Sequence, residues 1–274
     1  MGGLRRALRR ASAPPVLLPG SLRVAGTALL AACVAVTAVL GVDFVGHGLA
    51  RWLDSAFDAR IQAALSRFPA QLDWLSELGT LAPVATITLA LVLACVVTRR
   101  WSGAVLTVVA VPTAIGLTEY VLKPYVDVGQ AVMHSFPSGH ATSMFALAAI
   151  CAVLLVDPPR RRVPKIIRLV LVLMALLLAA AVAASMVAMG SHYSTDAVGG
   201  AAVGTGVVLA CALALDIWWP AERGEHPVAL PDTHSASSPR AQEACSRTRS
   251  RVKHRLRVGP MLPMGSPSSS DMSA

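Results

Sequence analysis

The segment Pro137–His140 carries the side chains of this sequence that are best suited to chemistry. It stands directly before an apolar run of helix length. It is therefore expected at a helix N-terminus, where the first backbone N–H groups have no partner within the helix and can bind an anion. The Ser138 hydroxyl can join those groups, Gly139 permits close approach of the backbone, and His140 can protonate a departing oxygen. These are the functions that phosphoryl transfer requires.

His192 and Asp196 form a second pair, four residues apart at the start of another apolar run. At that spacing both side chains lie on one face of a helix, provided that the helix begins early enough. The carboxylate would then fix the tautomer of the imidazole and leave its other nitrogen free to attack phosphorus. Taken alone, Asp196 is equally typical of a helix N-cap.

Lys123 ends a third apolar run, and it would supply positive charge to the same site. Taken alone, it is also typical of a lysine at a membrane boundary, whose ammonium group reaches water along its apolar stem. His134 has no evident partner and is interpreted as a polar residue of the membrane interface.

The elements that position these residues are expected to be membrane-spanning helices. Of the 274 residues, 55% are hydrophobic and 14% are charged, which excludes an ordinary soluble domain. Uncharged runs of about 20 residues predict an all-α protein with six transmembrane helices. These lie at roughly 24–42, 79–98, 102–122, 140–156, 167–189 and 197–217.

The predicted membrane domain, 24–217, lies between a basic segment, 1–23, and a tail, 218–274, that is rich in Ser, Pro and Arg and expected to be disordered. Between the first two spans, residues 49–68 repeat apolar side chains at helical spacing, while Asp54, Asp58 and Gln62 occupy other faces. They predict an amphipathic helix on the membrane surface, which either gates the approach of a lipid or covers the helix bundle.

Positive charge predicts the orientation. Twenty of the 24 Lys and Arg residues lie in four segments that alternate with the others: 1–23, 99–100, 157–168 and 217–274. The positive-inside rule therefore places both termini in the cytoplasm and the motifs outside, in a multi-pass protein of the plasma membrane. The net charge of +9 follows from this topology, and nucleic acid is not an expected partner because the basic residues form no single face.

Cysteine usage indicates neither a disulfide framework nor a metal site, since four of the five cysteines lie inside predicted spans and the fifth lies in the tail. Leu30-Ala31-Ala32-Cys33 is similar to a bacterial lipoprotein cleavage box. The chain remains apolar through Val42, however, so a first transmembrane helix is the favoured interpretation.

In these motifs the chain resembles the superfamily of type 2 phosphatidic acid phosphatases and vanadium haloperoxidases, in its bacterial membrane lipid phosphatase branch. The family pattern is Lys-x6-Arg-Pro, then Pro-Ser-Gly-His, then Ser-Arg-x5-His-x3-Asp. The resemblance covers residues from about 79 to 215, and the matching positions are Lys123, Pro137–His140, Ser185, His192 and Asp196.

The resemblance implies a six-helix membrane phosphatase that needs no metal or cofactor. His192 would be the nucleophile that forms a phosphohistidine, and Asp196 would orient it. His140 would act as the general acid and then activate water. Lys123, Ser138 and Gly139 would hold the phosphate.

Two departures from the pattern weaken the expected phosphate site. Gln130-Ala131 stands in the place of Arg-Pro, and Met186 in the place of the third motif's arginine. A charge-assisted hydrogen bond contributes about 1.5–3 kcal/mol, so the loss of two arginines is expected to slow the reaction by roughly two to four decades. Restoring one, by Met186→Arg, is expected to raise kcat/KM.

Four interpretations follow. An active phosphatase for a lipid phosphate or polyprenyl (pyro)phosphate is favoured, because nucleophile, orienting carboxylate and acid are all retained. A degenerate relative that binds lipid phosphate without efficient turnover is the alternative that the missing arginines support. A non-enzymatic bundle is disfavoured, since no span carries the paired charges of a transport path. A vanadate-dependent peroxidase is the least favoured, because the site lacks the arginine clamps that a bound oxyanion would need.

Overall fold

The computed structural model describes residues 17–46, 49–126, 136–156 and 163–218, and every regular element within them is helical. The prediction of an all-α protein is thus confirmed. Eight helices follow in chain order in these residues: α1 (Gly20–Gly46), α2 (Leu49–Leu65), α3 (Pro69–Leu78), α4 (Leu81–Val97), α5 (Trp101–Val126), α6 (Gly139–Val156), α7 (Lys165–Ala188) and α8 (Ser194–Trp218).

Five of the described helices, α1 and α5 to α8, are long and apolar enough to cross a membrane. The pair α3 and α4 makes a sixth crossing if it counts as one span bent by 52°. Five predicted spans therefore match helices, with ends within four residues. The remaining predicted span, 79–98, corresponds to α4 with ends within two residues, but the bent pair in the structure is longer than this span. Its apolar part is α4, and α3, which the sequence did not predict, precedes it across a break at Gly79 and Thr80.

Helix α6 is the most buried of the candidate spans, and α8 packs closely against it. A Cβ atom at Gly204 would lie 2.2 Å from the carbonyl oxygen of Thr142, and one at Gly200 would lie 2.5 Å from that of Ser138. The two helices approach this closely only because both positions are glycine. This contact places the first turn of α6 beside the first turns of α8.

Helix α5 contains a π-helical segment, Thr118–Leu122, and ends with a single α-helical turn, Lys123–Val126. Pro124 lies in that turn, and in a regular α-helix its ring would clash with the carbonyl group of Tyr120. In the wider π turn the Lys123 N–H instead donates to the Thr118 carbonyl. Single π turns are frequent at functional sites, and this one sets the position of Lys123.

Helix α2 turns its polar stripe toward the protein rather than away from it. Asp54 and Asp58 are buried, whereas Phe57 is half exposed, and Gln62 donates a hydrogen bond to the carbonyl of Val187 at the end of α7. These three polar residues of α2 therefore face the bundle. Hydrogen bonds to α7 and α8 are the physical reason, because buried carboxylates require partners.

At the other end of the bundle, two arginines bind the last carbonyl groups of α6. Arg100 donates to the carbonyl of Leu154. Arg168 donates to the carbonyls of Leu155 and Val156, and both of its bonds are 3.2 Å long. Cations are favourable at a helix C-terminus. α1 continues unbroken through Cys33, as expected for a first transmembrane helix.

The membrane orientation remains a prediction from the charge pattern. Alkaline phosphatase fused after Gly190 is expected to be active, since the reporter would lie outside, and a fusion after Arg162 is expected to be inactive. Reporter activity in cells measures both. The opposite pair of results would place the motif end of the bundle in the cytoplasm.

Candidate active site

A pocket of about 350 Å³, lined by both ionisable and apolar side chains, lies where α5 ends and α6 begins. It brings together Lys123, Gly139, His140 and His192, four of the six residues that the sequence singled out. The rest of its wall comes from α4, α5, α6 and the break before α4, and consists of Gly79, Thr80, Leu81, Val84, Ile115, Glu119 and Ser143. The motifs, distant in sequence, thus share one concave site.

The His192 imidazole contacts the Asp196 carboxylate, as predicted, through Nδ1 and Oδ2 at 3.3 Å. The geometry differs from the expected one. α8 begins at Ser194, so His192 precedes the helix in the turn that follows Gly190. Gly190 ends α7 with φ +73°, a left-handed conformation that favours glycine, and this turn brings His192 back toward the first turn of α8.

Asp196 is the third residue of α8, so its interpretation as an N-cap is wrong. Its Oδ2 also accepts the N–H of Tyr193 at 3.0 Å, the reach-back bond of a capping box. Its Oδ1 is buried and accepts no hydrogen bond from the described residues. Asp196 is 1% exposed, whereas the His192 side chain is 10% exposed and lines the pocket.

Ser138 and Asp196 lie behind the pocket wall instead of lining it. Ser138 is 1% exposed and is the N-cap of α6, with the Ala141 N–H 3.5 Å from its hydroxyl. Its own N–H donates to the backbone carbonyl of Asp196 at 3.1 Å. One hydrogen bond thus joins the two motifs, while the wall at the start of α6 is formed by Gly139 and His140.

Lys123 faces the pocket, and its ammonium group is bound by a neighbouring carboxylate. Its Nζ lies 2.6 Å from Oε1 and 2.8 Å from Oε2 of Glu119, four residues earlier. Both side chains are partly exposed to the pocket. A phosphate that enters must therefore share this ammonium group with Glu119.

Two glycines leave room for the neighbouring side chains of the pocket. A Cβ at Gly79 would lie 2.6 Å from Cδ2 of the His140 ring, and one at Gly139 would lie 2.6 Å from Oε1 of Glu119. The break between α3 and α4 therefore backs the His140 imidazole. Absence of a side chain at 139 lets the Glu119–Lys123 pair reach the first turn of α6.

The departures from the family pattern are only partly described. Met186 is 8% exposed and does not line the pocket, and its carbonyl accepts the N–H groups of Ser191 and His192. The Gln130-Ala131 dipeptide and His134 lie outside the described residues, as do most of the basic N-terminal segment and nearly all of the predicted tail.

Three contributions to the site were not predicted from the sequence. Glu119 had a visible signal, because its spacing from Lys123 is that of a helical ion pair. The only sequence signal for Gly79 was that a glycine stands next to an apolar run. Asp54 and Asp58 had none, since their partners Thr195 and Ser194 lie 141 and 136 residues away.

Metal ligands were not expected from the sequence. In the part of the chain that the structure describes, no three His, Cys, Asp or Glu side chains are grouped so as to hold a metal ion.

Comparison with known proteins gives a family match for part of the chain and a fold for most of it. Residues 110–219 match the family model of the PAP2 superfamily. The chain is similar to the crystal structure of the first transmembrane PAP2 type phosphatidylglycerolphosphate phosphatase from Bacillus subtilis, with a TM-score of 0.52 and 20% sequence identity. The match covers 70% of this chain and 96% of that one. No protein with a curated description matches the chain.

The matched segment contains the end of α5, all of α6 and the His192–Asp196 pair, and it supplies every lining residue of the pocket except Gly79, Thr80, Leu81 and Val84. The solved structure shares the arrangement of transmembrane helices. The chain is therefore a multi-pass membrane protein whose residues 110–219 match the PAP2 superfamily and whose fold is that of a transmembrane PAP2 protein.

Proposed function

We propose that this protein is a membrane phosphatase that hydrolyses a lipid phosphate or polyprenyl (pyro)phosphate through a phosphohistidine, with its site on the extracytoplasmic side. The observation that carries the proposal is the shared pocket of Lys123, His140 and His192, with Asp196 in contact with the His192 imidazole. A nucleophile, its orienting group, an acid and a cation are the parts that such a reaction needs.

In the first step, His192 attacks phosphorus through Nε2. The Nδ1–H group donates a hydrogen bond to Asp196 Oδ2, which holds the tautomer in which Nε2 carries the attacking electron pair. As the bond from phosphorus to the leaving oxygen breaks, His140 protonates that oxygen and the lipid alcohol departs. His192 then carries the phosphoryl group.

In the second step, water replaces the lipid alcohol. His140, now neutral, takes a proton from the water while its oxygen attacks phosphorus, and the bond to Nε2 of His192 breaks. Inorganic phosphate leaves, and both imidazoles return to their starting states. Its position in the same pocket lets His140 serve both steps.

Phosphate oxygens would bind at the first turn of α6 and at Lys123. The first N–H groups of a helix have no intrahelical partner, so those of Gly139 and His140 suit the equatorial oxygens of the transition state. Ser138 contributes by capping this turn, with its hydroxyl bound at the helix start. This refines its expected role as a direct phosphate ligand.

A lipid substrate suits the surroundings of the pocket. An apolar cavity of about 540 Å³ lies between α1, α5 and α8. Its lining includes Leu122 and Phe136, the neighbours in sequence of Lys123 and of the Pro137–His140 segment. The related structure is that of a phosphatidylglycerolphosphate phosphatase. An amphiphilic substrate suits a site that has a cation for the phosphate and apolar surfaces nearby.

The test is phosphate release by the detergent-purified full chain on a panel of phosphatidate, phosphatidylglycerophosphate and polyprenyl (pyro)phosphates. We expect release from at least one of them, unchanged by EDTA because the chemistry is assigned to histidines. Activity that EDTA removes and a divalent ion restores would contradict the metal-independent assignment. If no substrate of the panel releases phosphate, the assignment of the protein as a phosphatase is contradicted.

The second candidate is a protein that binds lipid phosphate without efficient turnover. The observation in its favour is the Glu119–Lys123 ion pair, together with Met186 in the place of an arginine. In the described part of the pocket, this pair leaves little net positive charge for a phosphate dianion. Binding of lipid phosphate without release would support this candidate.

Replacement of Glu119 by glutamine is expected to raise kcat/KM about 5- to 10-fold, mainly through a lower KM. The change removes a negative charge beside the phosphate and frees the Lys123 ammonium, while the amide oxygen still accepts one hydrogen bond. Steady-state kinetics measure it. The matched control is Asp73→Asn, which removes an exposed acid of α3, outside the pocket wall. A decrease in kcat/KM would show that the carboxylate positions Lys123 instead of masking it.

A further inference from the structure

The first turn of α8 is held by two carboxylates from α2. Asp54 accepts the Thr195 N–H at 2.9 Å through Oδ1 and the Thr195 hydroxyl at 2.8 Å through Oδ2. Asp58 accepts the Ser194 N–H at 3.0 Å, and the Ser194 hydroxyl also donates to it. The first two N–H groups of α8 are thus bound from another helix, at the end where negative charge is favourable.

Burying two carboxylates is costly, so this arrangement is unlike that of a helix that merely covers a bundle. Asp54 is 6% exposed and Asp58 is 8% exposed. Burial raises the pKa of Asp54, the bonds from Thr195 oppose the rise, and the carboxylates of Asp58 and Asp196 add to it. Three acidic side chains therefore converge on one helix start.

Nothing outside the first turn of α8 holds the Asp196 carboxylate among the described residues. Its Oδ2 bonds to Tyr193 and His192, which lie in or next to the same turn, and its Oδ1 is buried without a partner. Its position therefore follows that of the turn. The turn itself is tied by the two α2 carboxylates and by the Ser138 N–H on the Asp196 carbonyl.

We propose that Asp54 and Asp58 are positioning residues, which hold the first turn of α8 so that Asp196 meets Nδ1 of His192. The proposal rests on the proposed function for its catalytic consequence. It also assigns α2 a role that neither lipid gating nor simple covering describes. A displacement of the reacting groups by about 1 Å costs up to roughly 100-fold in rate, which sets the size of the expected effect.

The test uses Asp54→Asn, Asp58→Asn and Thr195→Val in the detergent-purified full chain. We expect kcat to fall about 10- to 100-fold with KM changed less than about twofold, because the change alters orientation and not binding. Gln62→Ala is the matched control, since it removes a bond from α2 to α7 but none to α8, and it should keep the wild-type kcat. If Asp54→Asn does not fold, Thr195→Val removes one bond to the same carboxylate and carries the test.

A double-mutant cycle separates positioning from general stability. In an Asp196→Asn background, Asp54→Asn should lower kcat by less than about twofold further, because the group through which it acts is already lost. A full further loss, or a kcat that falls only as the folded fraction falls, would overturn the proposal.

An independent readout separates this proposal from the phosphatase itself. If the wild type releases no phosphate, the proposed phosphatase activity is contradicted. The positioning role of Asp54 and Asp58 is then tested by the rate at which diethyl pyrocarbonate modifies His192, quantified by mass spectrometry. Asp54→Asn should change the rate of His192 carbethoxylation by at least about twofold, and by the same factor as Asp196→Asn. The double variant should show no further change. Equal rates in wild type and Asp54→Asn would overturn the positioning role.

Discussion

Replacement of His192 by alanine is expected to abolish turnover, with kcat lowered at least about 10⁴-fold, because it removes the imidazole whose Nε2 is assigned the attack on phosphorus. Phosphate release from the best substrate of the panel measures the loss. The matched control is His134→Ala, which removes a histidine interpreted as interfacial and should keep the wild-type rate.

The Asp196→Asn variant should lose less activity than His192→Ala. The imidazole survives, but Nδ1 loses its charged acceptor, so a fall of about 10²–10⁴-fold is expected. If the wild type and His192→Ala were equally active, the phosphohistidine mechanism would be ruled out. If lipid-phosphate affinity and thermal stability were also unchanged in His192→Ala, the histidine would have no role in the site.

The spans were predictable from sequence where one physical requirement dominates. α6, α7 and α8 are long apolar runs, and a membrane core demands such runs of any helix that crosses it. α3 was missed because its ten residues include Asp73 and Glu77, so they indicate a loop between spans. Its helix is formed in contact with α7, and a short helix depends on such packing more than on its own composition.

The site was predictable where its partners are close in sequence. The His192–Asp196 contact followed from a spacing of four residues, although the chain makes it across a helix start and not along a helix face. Glu119 and Lys123 have the same spacing, but membrane-boundary charges offered a simpler interpretation. The bonds from Asp54 and Asp58 to α8 leave no local pattern, because tertiary packing alone brings α2 to that helix start.

His140 is backed by a wall that only the structure reveals. The break between α3 and α4 places Gly79 where a methyl group would lie 2.6 Å from the imidazole ring and 3.0 Å from Val182 Cγ1. His140 thus sits between the α6 backbone and a helix break with no spare volume on that side. An Ala at position 79 should displace the ring, which makes Gly79→Ala a probe of His140 that removes no polar group.

Replacement of His140 by alanine is expected to lower kcat on a lipid phosphate about 10²–10⁴-fold, because both the leaving alkoxide and the attacking water lose their proton partner. The two steps separate with p-nitrophenyl phosphate, whose leaving group departs without a proton. On this substrate His140→Ala should release one equivalent of p-nitrophenol in a burst and then stall. The phosphoryl group should remain on His192, detectable as an acid-labile adduct by mass spectrometry.

Gly79→Ala should stall in the same way but less completely, since the His140 imidazole is displaced and not deleted. Normal multiple turnover by His140→Ala on p-nitrophenyl phosphate would show that another group activates the water, and would remove His140 from the second step.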